Sequence, residues 1–154
     1  MTVQTTATRV GGWAFLLTGA GHLGLANLLP PSTGDLAVVE RQIEEVRFPM
    51  TPSHSMADLM EGFSVTMSLL LIAWGVSVLL MTRHDRTPER AQLVVALVLS
   101  LALLVTAVLL LPAPPIVLMA VASVAFAVAL SAPSRRSTLT SARSRTAPTL
   151  SHGS

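Results

Sequence analysis

The sequence contains no cysteine, no lysine and few charged or aromatic residues. The absence of cysteine excludes disulfides, thiolate zinc sites and iron–sulfur clusters. Charged residues make up 12 % of the chain, about half the share in an ordinary soluble domain. All ten basic residues are arginine and the net charge is only +2, which does not make the basic face that a nucleic-acid partner requires. We therefore expect no nucleic acid among its partners.

What the sequence has in abundance is aliphatic surface. Of 154 residues, 51 % are hydrophobic, and the mean hydropathy is +0.65. A soluble chain this short keeps too much of its surface exposed to hide so many aliphatic side chains. Four apolar runs are long enough to cross a bilayer as helices and lack the alternation of barrel strands; they are residues 11–29, 59–81, 91–111 and 116–132. We expect an all-α, four-helix transmembrane bundle over residues 1–133, with the lipid bilayer as its first partner.

The outer loop, residues 30–57, separates the first two runs and contains a further helical pattern. Its apolar residues recur at the spacing of one helix face, from Asp35 to Arg47: Leu36, Val39, Ile43 and Val46. Ser32 or Asp35 is expected to cap this short amphipathic helix. It either rests on the membrane surface or the bundle, or acts as a lid over a ligand site. Its net negative charge argues against anionic lipid heads.

Prolines mark the joints, and arginines predict the orientation. Pro-rich segments end the first run and separate the third from the fourth. Residues 134–154, rich in Arg, Ser and Thr, are expected to form a disordered tail. Four spans place eight arginines on the side of the termini and two, Arg41 and Arg47, on the other. The positive-inside rule then predicts a multi-pass plasma-membrane protein with both termini cytoplasmic. The alternative is a signal peptide cleaved before Asn27.

Four ionisable side chains near the outer ends of the first two spans could form a polar pocket. His22 lies within the first apolar run, and Asp58 and Glu61 begin the second, with His54 just before it. Ser55-x-x-Asp58 and Asp58-x-x-Glu61 have capping-box spacing, which accounts for Asp58 without further chemistry. Two histidines and two carboxylates could also bind a divalent metal or relay a proton. A bis-histidine haem is the weaker alternative, since only His22 lies within a span. No cofactor is predicted.

Small residues in the first run form a second candidate set, for helix packing. Ala14, Thr18 and Gly21 share one helix ridge, and Ala20 and Gly24 share another, so a neighbouring helix could approach closely. Gly19 to Gly24 also matches G-x-G-x-x-G. Because Pro30 follows soon after and no strand–helix units follow, we expect no nucleotide partner.

Two segments carry a family resemblance. The first runs from Arg9 to Leu23 (RVGGWAFLLTGAGHL), and the second is Glu61-Gly62-Phe63-Ser64. They resemble an uncharacterised family of small four-helix bacterial integral membrane proteins and, more loosely, the DoxX-like group. The resemblance implies a fold and no activity.

Three functions remain open at this point. We expect a non-enzymatic structural or accessory subunit that contacts a membrane-protein partner or a second copy. The second is a small transporter or a proton- or metal-handling protein that uses His22 and Glu61. The third is a membrane enzyme acting on a lipid or quinone, for which no nucleophile–base pair is evident.

Overall fold

The chain folds into long helices with one short hairpin. The computed structural model describes residues 2–28, 30, 32–48, 51–83 and 88–132. Its helices are α1 (Val3–Leu28), α2 (Asp35–Glu45), α3 (Met56–Met81), α4 (Arg90–Leu110) and α5 (Ala113–Ser131). Strands β1 (Arg47–Phe48) and β2 (Thr51–Ser55) pair antiparallel ahead of α3. The all-α class is confirmed, and the hairpin is an addition to it. The disorder expected for residues 134–154 lies outside the described residues.

Helix α1 begins at Val3, well before the expected start at Gly11. The first residues are threonine-rich, and β-branched residues are mediocre helix formers in isolation. Here Gln4, Thr5 and Thr8 are buried, and the Thr8 hydroxyl donates to the Gln4 carbonyl over 2.8 Å. Burial against the rest of the bundle therefore outweighs the low helix propensity of these residues. Helix α1 thus includes polar turns that precede the apolar run.

The other helix ends differ from the expected bounds for local reasons. Helix α5 starts at Ala113, because its two prolines lie at the first helical positions, where the missing N–H removes no hydrogen bond. Helix α3 starts at Met56, and the expected Ser55–Asp58 capping box is present. Helix α2 is capped by Gly34 with φ 67°, and no side chain caps it. The expectation of a Ser32 or Asp35 cap is wrong; the Ser32 hydroxyl donates to Glu40 Oε1 instead, over 2.6 Å.

Helix α1 is the centre of the bundle. It packs against α3 on one side and α5 on the other, and α4 packs against α5. The core includes Phe15 of α1 and Phe126 of α5, both with 0 % of their surface exposed, and their ring centroids lie 6.2 Å apart. Loss of α1 would therefore separate α3 from α5.

Helices α1 and α4 run in one direction, and α3 and α5 run in the other. Hydrogen bonds join the start of α1 to the end of α3 (Arg9 to Thr82) and to the segment before α4 (Gln4 to Pro88). The end of α5 also lies beside the start of α1, where Phe126 covers Gly11. We call this end of the bundle the Arg9 end, and the opposite end, which carries α2 and the strands, the hairpin end.

Three helices are long and apolar enough to cross a membrane, judged by length and composition: α3, α4 and α5. Among the described residues α1 is not counted with them, although it is as long as α3. Its glycines, threonines and His22 lower its hydropathy, since small and polar residues take the place of leucine along this helix. The count of four membrane crossings therefore stays a prediction.

Candidate functional site

The hairpin end contains the four ionisable residues of the predicted pocket, and Asp58 is used locally. The Ser55 N–H donates to Asp58 Oδ2 over 2.7 Å, and the Asp58 N–H donates to Ser55 Oγ over 3.1 Å. This reciprocal pair satisfies two N–H groups that the first turn of α3 would otherwise leave without a partner. The Asp58 carboxylate also lies at the helix end that favours negative charge. Its role in the structure is to begin α3.

His22 joins α1 to α3 through a single polar contact. Its Nε2 atom lies 2.9 Å from Ser64 Oγ, and the ring remains exposed. The hydroxyl can serve either imidazole tautomer, as donor or as acceptor. The structure therefore places His22 as an interhelical hydrogen-bonding group.

Glu61 and His54 do not close the predicted pocket around His22. Glu61 is exposed one turn before Ser64 and makes no hydrogen bond or ion pair within the described chain. His54 is exposed on β2, and its Nδ1 lies 3.0 Å from Ser53 Oγ. Across residues 2–28, 32–48, 51–83 and 88–132 no three His, Asp or Glu side chains converge as a metal site would require. Thus the four residues share one end of the bundle without forming one cluster.

Glycine allows the backbones of α1 and α3 to approach closely where the two helices cross. A Cβ atom added at Gly19 would come within 2.6 Å of the Ser68 carbonyl oxygen, and one at Gly75 within 2.7 Å of the Leu16 amide nitrogen. A Cβ atom added at Gly12 would lie 3.1 Å from the side chains of Leu79 and Val78. Close approach of two backbones is the established use of small residues in membrane helices.

The residues predicted for helix packing distribute differently from expectation. Ala14 is buried in the core, and Thr18 is partly buried and donates to the Ala14 carbonyl. Ala20 is exposed, and a Cβ at Gly21 or Gly24 would meet no atom within 4 Å. Within the described chain the packing glycines of α1 are therefore Gly11, Gly12 and Gly19, which lie on the faces toward α5 and α3.

The Arg9 end holds polar contacts that sequence reasoning missed. The Arg9 guanidinium donates to the Thr82 carbonyl oxygen over 3.0 Å and to Thr82 Oγ1 over 3.4 Å. Gln4 Nε2 donates to the Pro88 carbonyl oxygen over 3.4 Å. A cation at the carboxyl end of α3 is favoured by the helix dipole. Gln4 and Thr8 share one helix face at i and i+4, which is the sequence signal that could have identified this buried polar side of α1.

Several hydroxyl groups along the apolar helices are hydrogen-bonded inside the chain. Ser77, Thr106 and Ser131 are exposed, and each donates to a carbonyl of its own helix four residues earlier. In the interior, Ser123 Oγ donates to the Met119 carbonyl oxygen over 2.8 Å and lies 3.2 Å from Ser100 Oγ of α4. Such bonds remove the need for water at these positions.

Asp58 begins a helix, Arg9 contacts the end of one, and His22 and Ser123 connect neighbouring helices. Chemically this arrangement can hold helices in register, and the Glu61 carboxylate and the imidazoles of His22 and His54 are exposed at the hairpin end. Comparison with protein-family models, curated proteins and solved structures finds no match for this chain.

Proposed function

We propose that the chain is an integral membrane protein with a structural or accessory role, which holds a four-helix scaffold in the bilayer and contacts a membrane-protein partner or a second copy. The observation that supports this role is the use of its polar side chains. His22 connects α1 to α3, Arg9 caps α3 and Asp58 begins it. These three polar groups thus stabilise the scaffold.

Exposed aliphatic surface supports the bilayer as its solvent. Helix α4, as one example, exposes valine and leucine along its whole length: Val94, Val95, Val98, Leu101, Val105, Val108, Leu109 and Leu110. Its 21 residues span about 31 Å at 1.5 Å per residue, close to the hydrocarbon thickness of a bilayer. Its one exposed hydroxyl, on Thr106, is already bonded to the Ala102 carbonyl oxygen. Lipid chains match such a surface far better than water does.

The same length defines two boundaries on α3. Glu61 at the hairpin end and Thr82 at the Arg9 end are about 31 Å apart along a helix. Because α1 packs antiparallel to α3, its segment from Arg9 to Leu28 covers a similar distance, which supports a fourth crossing in spite of its lower hydropathy. Arg9, Arg83 and Arg90 then lie at one end, and Arg41 and Arg47 at the other. The positive-inside rule favours a cytoplasmic Arg9 end in the plasma membrane.

A transport assay separates the structural role from the transporter alternative. Proteoliposomes are prepared with the wild-type chain, Glu61→Gln, His22→Ala and the control Glu44→Gln, an exposed carboxylate of α2. We expect the same proton uptake and metal content in all four, and a lower thermal stability for His22→Ala alone. The transporter alternative would be established if wild type and Glu44→Gln show proton or metal flux and Glu61→Gln loses this flux at unchanged stability.

The accessory role has its own test. Purification of the tagged full chain in a mild detergent, followed by native mass measurement, should give an assembly heavier than one 16.2-kDa chain. A stoichiometric second protein identifies a partner, and a multiple of the chain mass identifies a homo-oligomer. A monomer that turns over a lipid or quinone in the same detergent would contradict the proposal in favour of an enzyme.

A further inference from the structure

Helix α2 is amphipathic, yet the bundle leaves its apolar side uncovered. The α2 stripe consists of Leu36, Val39, Ile43 and Val46, which recur at the spacing of one helix face. No residue of α2 is buried. Leu36 is 67 % exposed, Val39 48 % and Val46 52 %, and only Ile43 is partly buried. Contact between the apolar area of this stripe and water would be unfavourable.

The position of α2 indicates what covers the stripe. Helix α2 contacts α3 and β2, so it is held beside the first turns of α3. Those turns expose Met60 at 58 % and Phe63 at 65 %, next to Glu61, the proposed boundary of the hydrocarbon. Helix α2 therefore lies near the part of α3 where its exposed apolar surface begins.

From this we infer that the α2 stripe docks on the bilayer interface, with uncharged or zwitterionic lipid as its partner. The inference rests on the membrane insertion proposed above. A short amphipathic helix lies in the plane of the interface when its apolar face meets the boundary between headgroups and acyl chains. Here docking would hold the hairpin end against the membrane and fix the orientation of β1 and β2.

The charge of α2 decides which lipid suits it. Helix α2 contains one basic residue, Arg41, and four acidic residues: Asp35, Glu40, Glu44 and Glu45. Interfacial helices that select anionic lipid carry lysine or arginine on the polar face, and anionic headgroups would repel this one. Docking should therefore be strongest on zwitterionic lipid and should weaken as anionic lipid is added at low salt.

The absence of cysteine from the sequence allows a direct test in the full-length chain. Single variants Val39→Cys and Val38→Cys are labelled with an environment-sensitive fluorophore and reconstituted in phosphatidylcholine vesicles. Both positions are exposed valines, but Val38 lies outside the stripe and is the matched control. Val98→Cys, on the exposed surface of α4, reports insertion of the bundle itself.

We expect a nitroxide-labelled lipid to quench the probe at position 39 at least about twofold more than at position 38, and aqueous iodide to show the reverse order. Replacing part of the phosphatidylcholine with phosphatidylglycerol should reduce the quenching at position 39, and salt should restore it. Lipid quenching at position 98 but not at 39 would overturn the docking alone. No lipid quenching at position 98 would overturn the proposed membrane function as well. Protection of position 39 from both quenchers would show that protein covers the stripe, which also overturns the inference.

Discussion

Gly75 of α3 lies directly against the backbone of α1 at Gly12. A Cβ atom at position 75 would come within 2.8 Å of the Gly12 carbonyl oxygen and 2.7 Å of the Leu16 amide nitrogen. Real Cβ atoms do not approach backbone atoms so closely, and a helix backbone cannot rotate away as a side chain does. The two glycines thus determine how closely α1 and α3 approach each other. This distance also affects the geometry of the His22–Ser64 contact, which lies nearer the hairpin end.

The first prediction concerns this crossing. We expect Gly75→Ala to lower the free energy of unfolding by about 1–3 kcal/mol, because the added methyl group forces the two backbones apart. Gly62→Ala is the control on the same helix, since a Cβ there meets no atom within 4 Å. Its expected effect is a gain of about 0.5–1 kcal/mol from the better helix propensity of alanine. Thermal unfolding in detergent measures both, and equal effects of the two changes would contradict the crossing.

The second prediction distinguishes internal packing from external contact on α1. Gly19→Ala should destabilise the monomer, since its Cβ would meet the Ser68 carbonyl oxygen at 2.6 Å. Gly21→Ala should leave the stability of the monomer the same or slightly higher, because its position is open. Unfolding and native mass are measured together. If Gly21→Ala dissociates an assembly while its monomer stays folded, the small residues Ala20, Gly21 and Gly24 contact a partner outside the chain.

The helices themselves could be predicted from the sequence because their signal is long and local. Apolar runs identified α3, α4 and α5, and the i, i+3, i+7 spacing of Leu36, Val39 and Ile43 identified α2. The start of α1 could not be predicted this way, because Thr5 and Thr8 become helical through burial against distant parts of the chain. Prolines at the start of α5 suggested a turn, although the same residues are compatible with a first helical turn.

Sequence spacing predicts the local contacts of the hairpin end but not its geometry. The Ser55–Asp58 capping box is local, and its spacing is sufficient to predict it. Which hydroxyl meets His22 depends on the register of α1 against α3, and that register is determined by Gly12, Gly19 and Gly75 together. A single sequence shows that α1 is rich in small residues but not which of them face α3. The contact with Ser64 rather than Glu61 follows from that register.

The third prediction addresses the Arg9 end. We expect Arg9→Ala to lower stability by about 1 kcal/mol or more, because it removes a cation and its hydrogen bonds from the carboxyl end of α3. Arg83→Ala is the control, an exposed arginine that lies next to Thr82 in sequence, and it should change stability by less than about 0.5 kcal/mol. Chemical denaturation of both variants in the same detergent decides between them. An Arg83→Ala effect as large as that of Arg9→Ala would mean that net charge, not the cap, matters.

The fourth prediction measures the interhelical bond of His22. In a double-mutant cycle of His22→Ala and Ser64→Ala, we expect a coupling energy of about 0.6 kcal/mol, and at most about 1.7, the range for hydrogen bonds between membrane helices. The pair His22→Ala with Ser77→Ala serves as the uncoupled control, because the Ser77 hydroxyl donates to its own helix at Ala73. Additive effects in the first cycle would remove His22 from the α1–α3 interface.

The fifth prediction is that α1 stays in the mature protein. Phe15 is fully buried between helices, and α1 is the helix that contacts both α3 and α5. Cleavage before Asn27 would leave the Phe126 ring exposed and cost about 3–5 kcal/mol for that pocket alone, by analogy with removal of a buried phenylalanine. The intact mass of the protein purified from membranes should therefore include residues 1–26. A mature chain beginning at Asn27 would identify α1 as a signal peptide and exclude the scaffold built around it.

Co-expression of residues 27–154 with a separate α1 segment offers an independent check, since the two pieces should associate only when Gly12 and Gly19 are intact.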